Sequence, residues 1–157
     1  MKPLLVEQGT FRITRSAEEV LYTKNLGACV AVGFLDQESG VAALVEYILP
    51  EKRGLKTPEG FPAFFAEEGL PLVVEEFKKQ GGDPSRAKVV VAGGGRFKKS
   101  PRWLDIGSKN LAAARFFLRR LGILPLAEKT GLPFPQRMEV SLKGGIRVHT
   151  LDQVESW

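Results

Sequence analysis

The sequence predicts an α+β fold in which helices and sheets stack as layers. Two stretches carry apolar residues at helical spacing, and much of the remaining chain has the pattern of short strands bounded by glycine and proline. Strands and helices do not alternate strictly, so a parallel sheet built from βαβ units is not expected. Two helices packed against a set of strands would bury one face of each, which predicts a layered sandwich.

The first half of the chain is predicted to be mainly β-strand. Residues 28–35 are apolar and β-branched enough for a buried strand, and residues 41–49 resume the same pattern. The polar residues 36–40 between them have turn chemistry, so the two strands are expected to form a hairpin. Short opening strands are also predicted at residues 4–6 and 11–14.

Two amphipathic helices are predicted further along the chain. In the first, apolar residues recur at helical spacing from Phe61 through Leu72 to Phe77. Pro71 lies inside this pattern and is expected to break or kink the helix, because proline lacks the N–H of the intrahelical hydrogen bond. The second helix is expected over residues 108–121, with Gly122 as its cap. The remaining predicted strands are residues 88–92, 123–128, 137–142 and 146–151.

Length and composition indicate one globular domain over residues 1–157. Hydrophobic residues make up 43% and charged residues 26%, the usage of an ordinary globular protein. A single cysteine and a single histidine exclude an intrachain disulfide and a Cys/His zinc cluster, and no metal or other cofactor is expected. The longest apolar run, residues 26–35, is far shorter than the roughly 18 residues of a membrane span. With no secretory segment at its start, the protein is expected to be cytoplasmic and not inserted in a membrane.

The charge balance favours acidic partners. Lys and Arg number 23 against 18 Asp and Glu, which leaves a net charge of +5. No aromatic-interleaved RNA motif and no zinc finger accompanies this charge, so nucleic acid is not a predicted partner and a solvated basic face is the interpretation. The basic positions cluster at Arg96, Lys98, Lys99 and Arg102, and at Arg115, Arg119 and Arg120.

The glycine-rich segment at residues 93–95 is interpreted as a tight turn. A phosphate-binding loop needs a second glycine, then lysine and serine or threonine, at fixed spacing, and Lys98 stands where that glycine would be. Three successive glycines after a strand instead predict a turn that needs positive φ. Binding of an anion by the backbone amides and the neighbouring lysines is the alternative.

Cys29 is the strongest candidate for chemistry. A cysteine in an apolar strand usually acts as a small core hydrophobe. Here it follows a turn of small residues, 25–28, which can leave the thiol and adjacent amides at a strand entrance. Thr23 lies six residues upstream, and its hydroxyl can return to the same corner. A cysteine nucleophile reacts as its thiolate, so Cys29 would need a nearby base or a positive potential.

These residues belong to a longer pattern. The segments TKNLGACVAV (residues 23–32) and VEYILP (residues 45–50) resemble the CheD family of chemoreceptor glutamine deamidases. That family shows Thr, then Leu-Gly-Ser-Cys-Val-Ala-Val, then Ala-His-x-x-Leu-Pro. The resemblance spans nearly the whole chain in order and at compatible spacing. Its further matches are residues 92–95, Phe97, residues 106–110, 127–128 and 130–131, and Arg137.

The resemblance implies both a fold and an activity. The implied fold is an α/β/β layered sandwich like the catalytic domain of deamidating bacterial toxins, and the implied activity converts receptor glutamine side chains to glutamate. Cys29 would be the nucleophile that forms a thioester, backbone amides beside it would hold the oxyanion, and Thr23 would orient the base. Implied partners are the cytoplasmic helices of methyl-accepting chemoreceptors and a CheC-type phosphatase. The wider substrate and oxyanion site would include Gly27, Ala28, Gly93, Gly94 and Asn110.

The sequence departs from the family pattern at its catalytic histidine. Glu46 occupies that position, and Ala28 replaces the serine before the cysteine. A carboxylate beside a thiol opposes its ionisation, and a carboxylate with a pKa of about 4.3 is a weak base for a thiol of about 8.5. His149 is predicted to face solvent from the last strand pair, so it is not expected to substitute. Arg137 or the basic loop is the alternative source of positive potential.

Two functions therefore remain open. The first is a CheD-like protein-glutamine deamidase, altered in rate or substrate by Glu46. The second is a catalytically impaired binding module that keeps the fold and docks on chemoreceptors or on a CheC-type phosphatase.

Overall fold

The computed structural model describes residues 1–97, 101 and 105–157. The predicted basic positions Lys98, Lys99 and Arg102 lie outside the described residues. In chain order the elements are β1 (Lys2–Leu5), β2 (Thr10–Thr14), β3 (Glu19–Tyr22), β4 (Val30–Asp36), β5 (Val41–Tyr47), α1 (Ala66–Lys79), β6 (Lys88–Gly93), α2 (Ile106–Arg120), β7 (Ala127–Thr130), β8 (Gln136–Ser141), β9 (Gly145–Thr150) and β10 (Gln153–Ser156).

The strands form two five-stranded sheets that pack face to face. The central sheet has the order β2-β5-β4-β6-β7, and the outer sheet has the order β1-β3-β8-β9-β10. One apolar cluster lies between the helices and the central sheet, and a second lies between the two sheets. The layers are therefore helices, central sheet and outer sheet, which confirms the predicted α/β/β sandwich.

The predicted hairpin forms the middle of the central sheet. Strands β4 and β5 pair antiparallel from Val30↔Tyr47 to Asp36↔Val41, and every residue of both strands is buried. A strand covered on both faces is apolar throughout, which explains the unbroken apolar runs in the sequence. The two sheets approach most closely at Gly33, where a Cβ atom would lie 2.8 Å from Cγ2 of Val140.

Helix α1 differs from the prediction at its start and at its proline. It begins at Ala66 because the carbonyl of Phe64 accepts the backbone amides of Ile48 and Leu49, both at 3.0 Å, which holds the preceding residues against the end of β5. The helix runs through Pro71 without dividing in two. The proline removes a single backbone hydrogen bond, and the helix stays anchored by its buried face. The helical spacing of apolar residues predicted that Phe61 and Leu72 belong to the buried face of this helix. That prediction is wrong, since both side chains are exposed.

Helix α2 begins slightly earlier than predicted and ends as predicted. The carboxylate of Asp105 caps its first turn by accepting the Ser108 amide at 3.1 Å. At the other end, Gly122 has φ +75° and donates to the Arg119 carbonyl, while Ile123 donates to the Leu118 carbonyl. This pair of hydrogen bonds is a Schellman motif, so the prediction of Gly122 as the cap is confirmed.

The strands that the sequence did not predict are short and lie in the outer sheet. Strand β3 has one fully buried residue, Leu21, and β10 is exposed along its whole length, so neither shows an alternating apolar pattern. Strand β7 begins at Ala127, later than the predicted residue 123, because residues 121–123 complete the cap of α2. Among the described residues, no helix is long and apolar enough to cross a membrane.

Candidate active site

The two candidate catalytic side chains meet at the edge of the space between the sheets. Cys29 immediately precedes β4, and Glu46 lies opposite Ala31 in the β4–β5 pairing. Because side chains alternate along a strand, Cys29, Ala31 and Glu46 share the face directed at the outer sheet. Cys29 packs against the apolar cluster between the sheets but retains partial exposure. Glu46 is only 2% exposed.

The side chains of Cys29 and Glu46 lie close enough for each to change the pKa of the other. Burial raises the pKa of the Cys29 thiol to about 12, and the neighbouring Glu46 carboxyl group adds to that effect. Burial also raises the pKa of Glu46, to about 7, against the opposing effect of the neighbouring Cys29 thiol. The thiol is therefore protonated at neutral pH, while the carboxyl group is close to half ionised.

Thr23 is buried and bonds to the outer sheet. Its Oγ1 accepts the backbone amide of Met138 at 3.0 Å, and its own amide donates to the Met138 carbonyl at 2.9 Å. Within the described part of the chain, Thr23 makes no hydrogen bond to Cys29 or Glu46. Its role in orienting the base stays a prediction.

The glycine-rich turn after β6 lies directly against the backbone of Cys29. Gly93 has φ +94° and Gly94 has φ +59°, so the predicted turn with positive φ is confirmed. A Cβ atom on Gly93 would lie 2.3 Å from the carbonyl oxygen of Cys29, which only glycine avoids. The amide of Gly94 donates to that same carbonyl at 2.9 Å. The two glycines therefore support the backbone of the candidate nucleophile.

The amides of this turn are engaged within the protein. The amide of Gly93 donates to Oε1 of Gln136 at 3.0 Å, and the amide of Gly95 donates to the Gly27 carbonyl at 2.8 Å. With the bond from Gly94 to Cys29, none of the three N–H groups is free for an anion. By contrast, the amides of Gly27 and Ala28 donate to no acceptor among residues 1–97, 101 and 105–157.

Asn110 connects α2 to this corner. It is fully buried, and its Nδ2 donates to the carbonyls of Ala28 at 2.9 Å and Ile48 at 2.8 Å. The hydroxyl of Tyr47 donates to the backbone carbonyl of Asn110 at 2.5 Å. Only the family resemblance pointed to Asn110, and no sequence signal distinguishes Tyr47 from other core aromatic residues.

A cavity of about 280 Å³ opens beside Glu46. Its walls are partly apolar, and the exposed Lys24 is one of the residues that line it. Sequence analysis did not single out Lys24 or Phe61 as site residues. The lining residues are Leu5, Val6, Glu7, Gln8, Lys24, Glu46 and Phe61.

The remaining candidate groups lie elsewhere. His149 and Arg137 pair across β8 and β9 on the outward face of the outer sheet, since their strand neighbours Met138 and Val148 point inward. His149 places its Nε2 2.8 Å from Oε1 of Glu139. The prediction that His149 faces solvent holds for its direction, since it lies on the outward face, but its side chain is only 22% exposed. Arg137 lies on the same face and supplies no positive potential between the sheets.

Comparison with known families identifies one match. A family model described as CheD chemotactic sensory transduction matches residues 48–150. This match begins after Cys29 and Glu46, so the first third of the chain is compared through individual relatives instead.

Three relatives cover most of the chain. A probable chemoreceptor glutamine deamidase CheD 1 of Syntrophus aciditrophicus is 28% identical over 92% of this chain and 91% of its own length. The chemoreceptor glutamine deamidase CheD of Thermotoga maritima is 34% identical over 80% of this chain and 78% of its own. A probable chemoreceptor glutamine deamidase CheD of Caldanaerobacter subterraneus is 31% identical over 92% of this chain and 90% of its own.

A solved structure of another protein shares the fold. The Neisseria meningitidis protein NMB0706, of the family DUF152, superposes with a TM-score of 0.53 at 11% identity. The superposition covers 85% of this chain and 65% of that protein. At this identity the likeness concerns the fold alone.

Proposed function

The chain belongs to the CheD family, and from that premise we propose that it hydrolyses the side-chain amide of glutamine residues in the cytoplasmic helices of chemoreceptors. The observation that carries the proposal is that Glu46 lies beside the Cys29 thiol, on the same face of the β4–β5 pair, at a partly exposed strand entrance. The names of its relatives supply the substrate class. No cofactor is required for this reaction.

The proposed reaction uses two proton transfers through Glu46. Ionised Glu46 accepts the proton of the Cys29 thiol as the sulfur bonds to the carboxamide carbon. The protonated carboxyl then returns this proton to the amide nitrogen, the C–N bond breaks, and ammonia leaves a thioester. Water attacks the thioester carbon while Glu46 accepts a proton from it. The C–S bond then breaks and the thiol regains that proton, so one amide and one water give one carboxylic acid and one ammonia.

The raised pKa of Glu46 suits this dual role. An acid–base group works best when its pKa is near the operating pH, and burial brings the pKa of Glu46 to about 7. The thiol, with a pKa of about 12, does not ionise first. Its proton must leave as the S–C bond forms, so turnover is expected to be slower than with an imidazolium–thiolate pair.

The developing oxyanion has donors available beside the sulfur. The amides of Gly27, Ala28 and Cys29 donate to no acceptor on another described residue, and they lie at the nucleophile or just before it. Each well-placed donor of this kind contributes about 3–4 kcal/mol to the stability of the transition state. Ala28 in place of serine leaves this backbone contribution intact.

The raised pKa of Cys29 favours a second candidate function. A thiol that stays protonated beside a carboxylate is a poor nucleophile, so the chain would then act as a binding module on chemoreceptor helices or on a CheC-type phosphatase. In this case the fold and the docking surfaces would be kept while turnover is lost.

One assay distinguishes the two functions. The protein is incubated with a chemoreceptor cytoplasmic fragment, and conversion of glutamine to glutamate is followed by peptide mass and by ammonia release. The deamidase proposal requires conversion that Cys29→Ala abolishes. Glu46→His is expected to raise the rate about 100-fold, because it restores a base matched to the thiol.

The same samples are tested for binding. Binding of the fragment without conversion, in both the wild type and Glu46→His, overturns the deamidase proposal and supports the binding module. Neither binding nor conversion overturns both candidates for this substrate.

A further inference from the structure

Asn110 closes the gap where strands β4 and β5 separate. The last paired residues are Val30 and Tyr47, so the carbonyls of Ala28 and Ile48 lie just beyond the ladder. The two N–H groups of the Asn110 amide donate to these carbonyls, at 2.9 Å to Ala28 and 2.8 Å to Ile48. One side chain thereby extends the pairing of the two strands up to the residue before the candidate nucleophile.

This contact determines the direction of the Cys29 amide. The carbonyl of Ala28 and the N–H of Cys29 belong to one peptide group, and in a trans peptide they point in opposite directions. Because the Ala28 carbonyl points toward Asn110, the Cys29 N–H points away from Asn110. This N–H acts to lower the pKa of the Cys29 thiol, so it lies beside the sulfur.

A second hydrogen bond fixes Asn110 itself. The Tyr47 hydroxyl, fully buried in β5, donates to the backbone carbonyl of Asn110 at 2.5 Å. The first turns of α2 are thereby attached to the same strand end that the Asn110 side chain bridges. The side-chain amide consequently has little freedom to move away from Ala28 and Ile48.

The arrangement has an energetic cost. Oδ1 of Asn110 is buried and has no hydrogen-bond partner among the described residues. A buried unpaired acceptor costs about 1–3 kcal/mol. The two bonds made by Nδ2 must offset that cost, because an apolar side chain at this position would leave both strand-end carbonyls without a donor.

We infer that Asn110 is a positioning residue for the deamidation: it holds the Ala28–Cys29 peptide so that the Cys29 N–H faces the oxyanion that forms beside the sulfur. The inference rests on the proposed function. It assigns Asn110 no contact with substrate, since the residue acts through the peptide that it holds.

The test compares two reactions of the same sulfur. In Asn110→Ala, kcat for glutamine conversion is expected to fall about 100-fold with KM unchanged, which is the loss of one oxyanion donor. Alkylation of Cys29 by iodoacetamide is expected to change less than about twofold, because displacement at a saturated carbon forms no oxyanion. The control is Gln153→Ala, which removes an exposed side-chain amide in β10 and should leave both rates unchanged.

Three results would overturn the inference. These are an unchanged kcat, a parallel fall of conversion and alkylation, and an equal loss in Gln153→Ala. Should Asn110→Ala not fold, Tyr47→Phe replaces it. That variant removes the hydroxyl that fixes Asn110, and the same divergence between the two reactions is expected at about tenfold, with parallel changes overturning the inference.

A measurement without substrate separates this inference from the proposed function. If the wild type and Glu46→His convert no glutamine, the proposed function fails, and the ¹⁵N order parameter of the Cys29 amide becomes the readout. We expect it to fall from about 0.85 to below about 0.6 in Asn110→Ala, while that of Val32 within β4 stays high. An unchanged order parameter for Cys29 overturns the positioning role.

Discussion

At Cys29, burial and a neighbouring carboxylate act on the thiol in the same direction. Both raise the pKa of Cys29, and burial is the larger cause. Replacing Glu46 by glutamine removes the charge and leaves the burial. In Glu46→Gln we expect alkylation by iodoacetamide at pH 8 to be about three- to tenfold faster, because the thiolate fraction rises more than its nucleophilicity falls.

The control for this prediction is Glu7→Gln. Glu7 is an exposed acid that borders the same cavity as Glu46, so its removal should leave the alkylation rate unchanged. Equal rates in the wild type and Glu46→Gln would contradict the direct effect of Glu46 on the thiol.

The burial of Glu46 also makes the stability of the protein depend on pH. The pKa of Glu46 is raised from 4.5 to about 7 on folding, so the folded state binds this proton more tightly than the unfolded state. The corresponding stabilisation is complete below pH 4.5 and is lost as the pH rises through about 7. Glutamine at this position cannot ionise and shows no such loss.

Urea unfolding of the wild type and Glu46→Gln at pH 4 and pH 8 measures this effect. The unfolding free energy of Glu46→Gln minus that of the wild type should be about 3 kcal/mol larger at pH 8 than at pH 4. A pH-independent difference would show that Glu46 has an ordinary pKa in the folded protein.

At the scale of the elements, the close approach of the two sheets depends on Gly33. A Cβ atom there would lie 2.8 Å from Cγ2 of Val140 and 2.9 Å from Sδ of Met138. Gly33→Ala is expected to lower the unfolding free energy by about 1–3 kcal/mol through overpacking between the layers. Gly27→Ala is the stability control, since its Cβ would meet only Phe97 at 3.9 Å. Equal unfolding free energies in the two variants would contradict this packing.

The elements also differ in how far the sequence predicted them. The β4–β5 hairpin and the cap of α2 follow from local signals, namely two apolar runs around a polar turn and a glycine after an amphipathic stretch. The start of α1 does not follow from local signals, because Phe61 and its neighbours continue the helical pattern. Those residues bond instead to the end of β5, a contact that the pattern of α1 does not encode.

At the scale of the whole molecule, the excess of basic residues predicts how a partner would bind. A net charge of +5 attracts an acidic helical surface, and salt screens this attraction, with a Debye length of about 10 Å at 0.1 M and about 3 Å at 1 M. Binding of an acidic chemoreceptor fragment, measured by calorimetry, should therefore weaken at least about tenfold over this range. Affinity that does not change with salt would indicate a mainly apolar contact.

The sequence by itself determined the layers of this protein and the identity of its candidate nucleophile. Hydrophobic periodicity, turn residues and glycines are local properties, so they predict elements and caps. The family pattern adds Cys29 and the unusual Glu46. The sequence also assigned the glycine-rich segment to a turn, because positive φ is a property of single residues.

Only the tertiary structure decided what surrounds the sulfur. The approach of Glu46 to Cys29 requires two strands in register, and Asn110 reaches the Ala28 carbonyl from 82 residues away in the chain. The pKa values of Cys29 and Glu46 depend on burial between two sheets, which no local pattern measures. Reactivity at this site is therefore a property of the packed layers, since contacts between distant residues set both its charge and its geometry.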